Sequence, residues 1–263
     1  MKGVVFLGGG RITGALLAGL RLAGYRSPIT IHDRHTRKLR DLKREYGVST
    51  EPDLHRAVSQ ARILILAVRP ASVTALLDEI GPMRRPLMAI SLAAGIPLKN
   101  LRSHLGPPVR WARAMPSPVC RSGRGLTAVT FDRSRTERTR REVKNFFARV
   151  GPVLEIPESK FDAFTVTYSC SHGYHALAAL AEAGQRVGLD RNTSLAAAAH
   201  ALADGILSWR DGGLSLEALL HEAATPGGIA ATVMSAMDKR RYQQTVQEGL
   251  RAGMARARAN AKR

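Results

Sequence analysis

Cysteine is nearly absent from this 263-residue chain, which has only Cys120 and Cys170. They are far apart and show no paired spacing, so neither a disulfide framework nor a zinc site is indicated. Long apolar runs are missing too, and none nears the roughly 18 residues that a membrane-crossing helix needs. The first seven residues run straight into glycines rather than into a cleavable signal, so the expected compartment is the cytoplasm, with reduced thiols. Aromatic residues make up 5% of the chain. No zinc finger, basic zipper or aromatic ribonucleoprotein motif occurs, which argues against a nucleic-acid partner. Acidic residues are few beside the basic ones, 21 against 40, for a formal charge of +19. Such a field draws anions, an anionic cofactor included. The spread of arginines over helical faces, as in Arg37-Lys38-Leu39-Arg40 and Arg138-Thr139-Arg140-Arg141, reads mostly as solvated surface.

What is present is ordinary globular material, 44% hydrophobic and 23% charged, which excludes a disordered or collagen-like chain. The length allows one large or two modest domains. Gly3-Val4-Val5-Phe6-Leu7 is a short apolar run, followed by Gly8-Gly9-Gly10 and then by Ile12, Leu16, Leu17 and Leu20 at near-helical spacing. Strand, tight turn and helix in that order form the phosphate-binding corner of a dinucleotide fold. There the first glycine permits the turn, the second lets backbone approach a pyrophosphate, and a small third residue lets helix pack on strand. Gly8, Gly10 and Thr13 hold those positions, and amides at the start of the helix, from Arg11 and Ile12, would face the phosphates.

A second strand, Ser27 to Ile31, ends near Asp33-Arg34, about twenty residues past the glycines, where a ribose is read. Asp33 would hydrogen-bond a free 2′-hydroxyl, whereas Arg34, with Arg37 and Lys38 close by, would bind a 2′-phosphate. The basic set tips the reading towards NADP, with NAD the alternative. Ile63 to Val68 and Leu87 to Ser91 continue as all-apolar strands separated by helical stretches, the pattern of a doubly wound parallel sheet covered on both faces. Ligands bind beyond the carboxyl ends of such strands, which singles out Ala67-Val68-Arg69-Pro70, Ser91-Leu92-Ala93-Ala94-Gly95 and Met115-Pro116-Ser117-Pro118. Each of these, taken alone, also fits an ordinary strand-ending turn.

Taken in order, these segments resemble the pyrroline-5-carboxylate reductase family, together with Arg113-Ala114-Met115-Pro116 ahead of Gly123 and Gly125. Glu158 to Thr165 resembles that family's passage into its helical domain, and Thr225-Pro226-Gly227-Gly228 its late Ser-Pro-Gly-Gly turn. The resemblance runs the length of the chain. It implies a Rossmann-type α/β domain over residues 1–157 and an all-helical substrate and dimerisation domain over 158–263. It also implies reduction of a cyclic imine carboxylate to proline with NADPH or NADH, by a homodimer or higher homo-oligomer built through the helical domain. Beyond Asp162 strand-like runs do vanish, and Ala/Leu-rich helical patterns take over at 176–187 and 194–207.

The cofactor contacts that follow are Gly8, Gly10, Arg11, Ile12, Thr13, Asp33, Arg34, Ala67, Val68, Arg69, Pro70, Ala93, Gly95, Met115, Pro116 and Ser117. Thr225, Gly227, Gly228 and Thr232 would hold the substrate, the turn's amides meeting its carboxylate at a helix start. Several family features are changed. The threonine that donates to the imine nitrogen is Ala230 here, the next threonine being Thr232. The asparagine after the first glycines is Arg11, and the lysine of the Ala-Val-Lys-Pro loop is Arg69. The Met-Pro-Asn-Thr-Pro loop reads Met115 to Val119. Tyr168 to His175 replaces a Ser-Gly-Ser-Gly-Pro-Ala-Tyr stretch and brings in His172, Tyr174 and His175, which supply proton-transfer groups. His172 and Tyr174 are therefore the candidate catalytic residues. Loss of the threonine also leaves room for a different imine or carbonyl substrate, or for a dinucleotide-binding protein without chemistry. The remaining histidines, among them His55, His104, His200 and His221, lack partners at metal-ligand spacing, and no metal is expected. The basic C-terminal run from Arg251 is read as a solvated last helix.

Overall fold

A computed structural model describes residues 3–132, 137–168 and 170–262, without the side chains of Cys170 and Ser171. Ser169, in the segment singled out above, lies outside the described residues. The chain divides into two compact units, one of residues 1–166 together with 253–263, the other of residues 167–252. The division anticipated after residue 157 and the division between these units are thus nine residues apart, and the last eleven residues belong with the first unit.

The first unit is built on β1 (Gly3–Leu7), α1 (Arg11–Leu22), β2 (Ile29–His32), α2 (Thr36–Tyr46), β3 (Ser49–Thr50), α3 (Leu54–Ser59), β4 (Ala61–Leu66), α4 (Val73–Ile80), β5 (Leu87–Ser91), α5 (Leu98–His104), β6 (Val109–Pro116), β7 (Thr127–Phe131), α6 (Glu137–Ala148) and β8 (Val153–Glu155). The strands form one sheet in the order β3-β2-β1-β4-β5-β6-β7-β8. Every neighbouring pair is parallel except β6 with β7. This is the doubly wound arrangement expected, except that the last two strands, β7 and β8, run opposite to the other six at the far edge. The reversal has a local cause, because the ten residues between β6 and β7 hold one short helical turn, Pro118–Ser122, and are too few for a full crossover.

Side chains alternate across a strand, so the apolar runs feed two cores at once. Val4, Phe6, Ile31, Ile63, Ile65 and Ile90 face one layer with Leu16, Leu20, Leu39 and Phe147. Val5, Leu7, Leu64, Leu66 and Ala89 face the other, with Leu54, Leu77 and Leu101. Burial on both faces is why these strands carry no polar alternation.

After β8 the chain is helical. Here α7 (Glu158–Tyr168) begins in the first unit, and α8 (Cys170–Arg186), α9 (Arg191–Asp211), α10 (Leu216–Ala223) and α11 (Ile229–Lys239) lie in the second. Last comes α12 (Tyr242–Ala261), whose final turns return to the first unit. Within the second unit α8 and α9 form a hairpin. Asp190 caps α9 by accepting from the amides of Asn192 and Thr193 at 2.9 and 3.2 Å. The Ser194 hydroxyl crosses to the Ala181 carbonyl. Neither α10 nor α11 buries a single residue within the chain. No helix among the described residues is long and apolar enough to cross a membrane.

Candidate functional site

The strand order reverses direction of growth between β1 and β4, and their carboxyl ends open the crevice where α/β sheets bind ligands. Backbone bonds step across that edge: Gly8 N to the His32 carbonyl at 2.8 Å, Ala67 N to Leu7 at 2.8 Å, and Leu92 N to Leu66 at 2.9 Å. Three of the four segments taken from the sequence, 8–13, 67–70 and 91–95, are therefore brought together by the sheet itself. The fourth differs in part, since Met115 and Pro116 still belong to β6. Ser117 is buried and accepts from the Val119 amide at 3.1 Å, capping the turn that follows.

At the corner Gly8 has φ of +109°, and a Cβ there would lie 2.6 Å from the Ala67 carbonyl oxygen, so no other residue fits without moving β4's end. Thr13 is fully buried and donates its hydroxyl to the Gly8 carbonyl at 2.6 Å, fastening helix to turn. Gly10 caps α1 without a side chain, and nothing lies within 4 Å of where its Cβ would be. The first turn of α1 holds no acidic residue. The amides of Gly10, Arg11 and Ile12 have no hydrogen-bond partner among the described residues. An uncapped helix start beside open space, with its partial positive charge unopposed, fits a pyrophosphate.

Asp33 does something that spacing alone does not reveal. Its Oδ2 accepts from the Gly9 amide at 2.8 Å, and its Oδ1 accepts from the His35 amide at 2.8 Å and faces His35 Nδ1 at 2.9 Å. Burial pushes this carboxyl's pKa upward, but the bonds from Gly9 and His35, with the Lys38 ammonium 3.6 Å away, outweigh it and hold the pKa below its ordinary value. The carboxylate thus braces the glycine turn, and the cations around it, Arg34 and Lys38, stay on the outside. Arg34 is exposed and touches Glu79 at 2.9 Å, an exposed pair of the kind that contributes little. Arg11 and Arg69 are exposed at the same edge.

The surroundings of one residue of the 113–116 segment were not legible in the sequence. Arg113, on β6 two residues before Met115, has 1% of its side chain exposed. It donates to Asp162 at 2.5 Å and to Glu158 at 3.1 Å, and its guanidinium lies 4.4 Å from the centre of the Phe161 ring. Glu158 also accepts from the Leu98 amide at 2.9 Å, fixing the start of α5. The arginine thereby ties β6 to α7 and, through Glu158, to the end of the 91–97 loop.

In the second unit Thr225-Pro226-Gly227-Gly228 forms a turn closed by Gly228 N to the Thr225 carbonyl at 2.9 Å, with Gly227 at φ +77°. Proline and positive-φ glycine at its two central positions make it type II. Gly228 then starts α11 without a side-chain cap. Thr232 sends its hydroxyl proton back to the Gly228 carbonyl at 3.0 Å and so presents only acceptor capacity. Ala230, His172 and Tyr174 are exposed, the last two on α8. A cavity of about 920 Å³ lies elsewhere in the first unit, near Arg102, Asp132, Arg140 and Glu155. Those charges pair with each other, Arg102 with Asp132 at 2.6 Å and Arg140 with Glu155 at 2.8 Å.

Known proteins resemble this chain in sequence and in fold. Residues 3–95 match the family described as NADP oxidoreductase coenzyme F420-dependent, and residues 158–260 the family described as pyrroline-5-carboxylate reductase dimerisation. The pyrroline-5-carboxylate reductase of Mycobacterium tuberculosis is 30% identical over 286 residues, covering 98% of this chain and 96% of that protein. That of Thermus thermophilus is 31% identical over 260 residues, with 96% of each covered. Among solved structures, the Streptococcus pyogenes 1-pyrroline-5-carboxylate reductase superposes with a TM-score of 0.90 at 19% identity, covering 97% of this chain and 98% of that one. The Plasmodium falciparum pyrroline carboxylate reductase with NADP bound superposes at 0.89 and 20% identity, with 98% of each chain covered. At those identities the structural likeness is one of fold.

Proposed function

Because the chain belongs to the pyrroline-5-carboxylate reductase family, we infer that it reduces the C=N bond of 1-pyrroline-5-carboxylate to give L-proline, with NADPH as the reductant and NADH the alternative. The observation that carries this reading is the uncapped start of α1 at the switch point, with Asp33 turned inward to the Gly9 amide and basic side chains left outside it.

NADPH supplies the hydride, and the chain's own residues bind, orient and handle protons. The amides of Gly10, Arg11 and Ile12 take the pyrophosphate. Arg34 and Lys38 take the 2′-phosphate, a role a carboxylate already engaged by Gly9 and His35 does not contest. The segments Ala67 to Pro70, Ala93 to Gly95 and Met115 to Ser117 flank the nicotinamide half. The Thr225–Gly228 turn and the amides that open α11 hold the substrate carboxylate, so that the imine carbon is presented in one orientation. The Ala230 side chain has no hydrogen-bond donor, so the proton or hydrogen bond at the imine nitrogen comes from Tyr174 or His172 on α8.

The second unit is the assembly surface. Ile206, Leu207, Trp209, Leu216, Ile229 and Val233 are all at least half exposed in the single chain, large apolar side chains of the kind that subunit contacts cover. A second copy of the chain covers it, giving a homodimer or higher homo-oligomer in the cytoplasm.

Turnover decides the chemistry. Purified protein oxidises NADPH when 1-pyrroline-5-carboxylate is added and releases proline, with NADH as the slower reductant. Oxidation of neither nucleotide rejects the reading, and turnover restricted to other imines reassigns the substrate. Sedimentation velocity tests the assembly, where a monomer at micromolar concentration contradicts it.

A further inference from the structure

The loop that follows β5 is gripped from behind by the end of the chain. Asn260, 7% exposed on the last turn of α12, donates its amide to the Ala94 carbonyl at 3.1 Å. Asn100 returns the bond, donating to the Ala261 carbonyl at 2.7 Å. Between them the backbones nearly touch. A Cβ on Gly95 would lie 2.6 Å from the Ala257 carbonyl oxygen and 3.0 Å from Asn260 Cβ, and Gly95 has φ of +78°. The glycine is therefore accounted for by the helix behind it, and Ala257 is buried there too, 6% exposed. At its two ends the loop is fixed by Leu92 N on the Leu66 carbonyl and by Leu98 N on Glu158. The C-terminal run, expected to be solvated, is on one side part of the wall of the dinucleotide domain.

We propose that Asn260 is a positioning residue for the nicotinamide half of the cofactor. By fixing the Ala94 carbonyl it sets the path of residues 93–95 at the carboxyl edge of the sheet, and the affinity for NADPH depends on that path although Asn260 touches no cofactor. The proposal rests on the reading of the crevice as an NADPH site. The grip comes from the stretch where the chain re-enters the first unit after residue 252, so the second unit is followed directly by the segment that holds this loop.

The test is Asn260→Asp in the full-length protein, an isosteric change that removes the donor. NADPH binding is measured by calorimetry beside that of 2′,5′-ADP, which has the phosphate end and lacks the nicotinamide half. NADPH affinity is expected to fall about fivefold, the worth of one such hydrogen bond. 2′,5′-ADP affinity should hold within twofold, and the KM for NADPH should rise much more than kcat falls. Asn260→Gln, which keeps a donor, recovers part of the loss. If the aspartate variant yields no soluble protein, Asn260→Ala, which buries no charge, gives the same readouts. Unchanged NADPH affinity, or equal weakening of both ligands, overturns the proposal. A wild-type chain that binds neither ligand overturns instead the reading on which it rests.

Discussion

Replacing Arg113 by methionine keeps an unbranched side chain of similar reach and deletes the guanidinium. The structure gives the loss: two charge-assisted bonds to Asp162 and Glu158, at 2.5 and 3.1 Å, and the contact with Phe161 at 4.4 Å. Asp162 and Glu158 retain about a third of their side-chain exposure, so water rehydrates part of what the arginine leaves behind, and the cost falls at the low end for a broken buried pair, about 3 kcal/mol. For a unit of this size that lowers the melting temperature by about 6–12 °C, read by calorimetry or circular dichroism. The same physics predicts partial rescue. Arg113→Met with Asp162→Leu removes the stranded carboxylate as well, and should lose less than Arg113→Met alone. A shift under about 2 °C for the single variant, or a double variant that is worse than additive, would refute the assignment of Arg113 as the residue that joins β6 to α7.

Other outcomes follow from the same geometry. Gly8→Ala sets a methyl against the Ala67 carbonyl and should abolish NADPH binding in calorimetry, retention of wild-type affinity being the contrary result. Asp33 has its pKa depressed in the folded state, so its contribution to stability is fully present above the unfolded value and disappears as pH falls through the folded one. The stability gap between wild type and Asp33→Asn should thus be constant near neutrality and shrink as pH falls below about 4, whereas a gap that does not change with pH through the acid range speaks against the brace. Burial raises the Cys120 thiol to about 11, so at pH 7.5 native protein should leave Cys120 unalkylated by iodoacetamide while denatured protein does not, as mass spectrometry will read. Arg34→Ala with Lys38→Ala should weaken NADPH far more than NADH, and an equal loss for both would place the 2′-phosphate elsewhere.

The sequence carried the fold where local pattern and burial coincide. Apolar strands buried on both faces, a glycine corner and a run of helices after residue 158 all leave signals within a few residues of themselves, and each was found near its expected place. The Thr225–Gly228 turn was legible for the same reason, since proline followed by glycine specifies its backbone. What was hidden depends on partners distant in sequence. Arg113 sits in Val-Arg-Trp-Ala-Arg-Ala, where Arg110 is exposed and Arg113 buried, and the carboxylates that settle the difference are 45 and 49 residues away. Asp33 stood at the spacing of a ribose contact, and the bonds it accepts from the Gly9 and His35 amides are ones that no spacing rule contains. Asn260 lay in a basic, alanine-rich tail whose charge pattern suggested a solvated helix, and its meaning comes from Ala94, 166 residues earlier.

The account stands most directly on where the hydrogen goes. Wild-type protein is given 1-pyrroline-5-carboxylate and NADPH carrying deuterium at one or the other face of nicotinamide C4, and the proline is examined by mass spectrometry and NMR. One of the two labelled nucleotides should deliver a single deuterium to C5 of proline, with none arriving there from deuterated water. Proline unlabelled from both nucleotides, or no proline at all while NADPH persists, contradicts it.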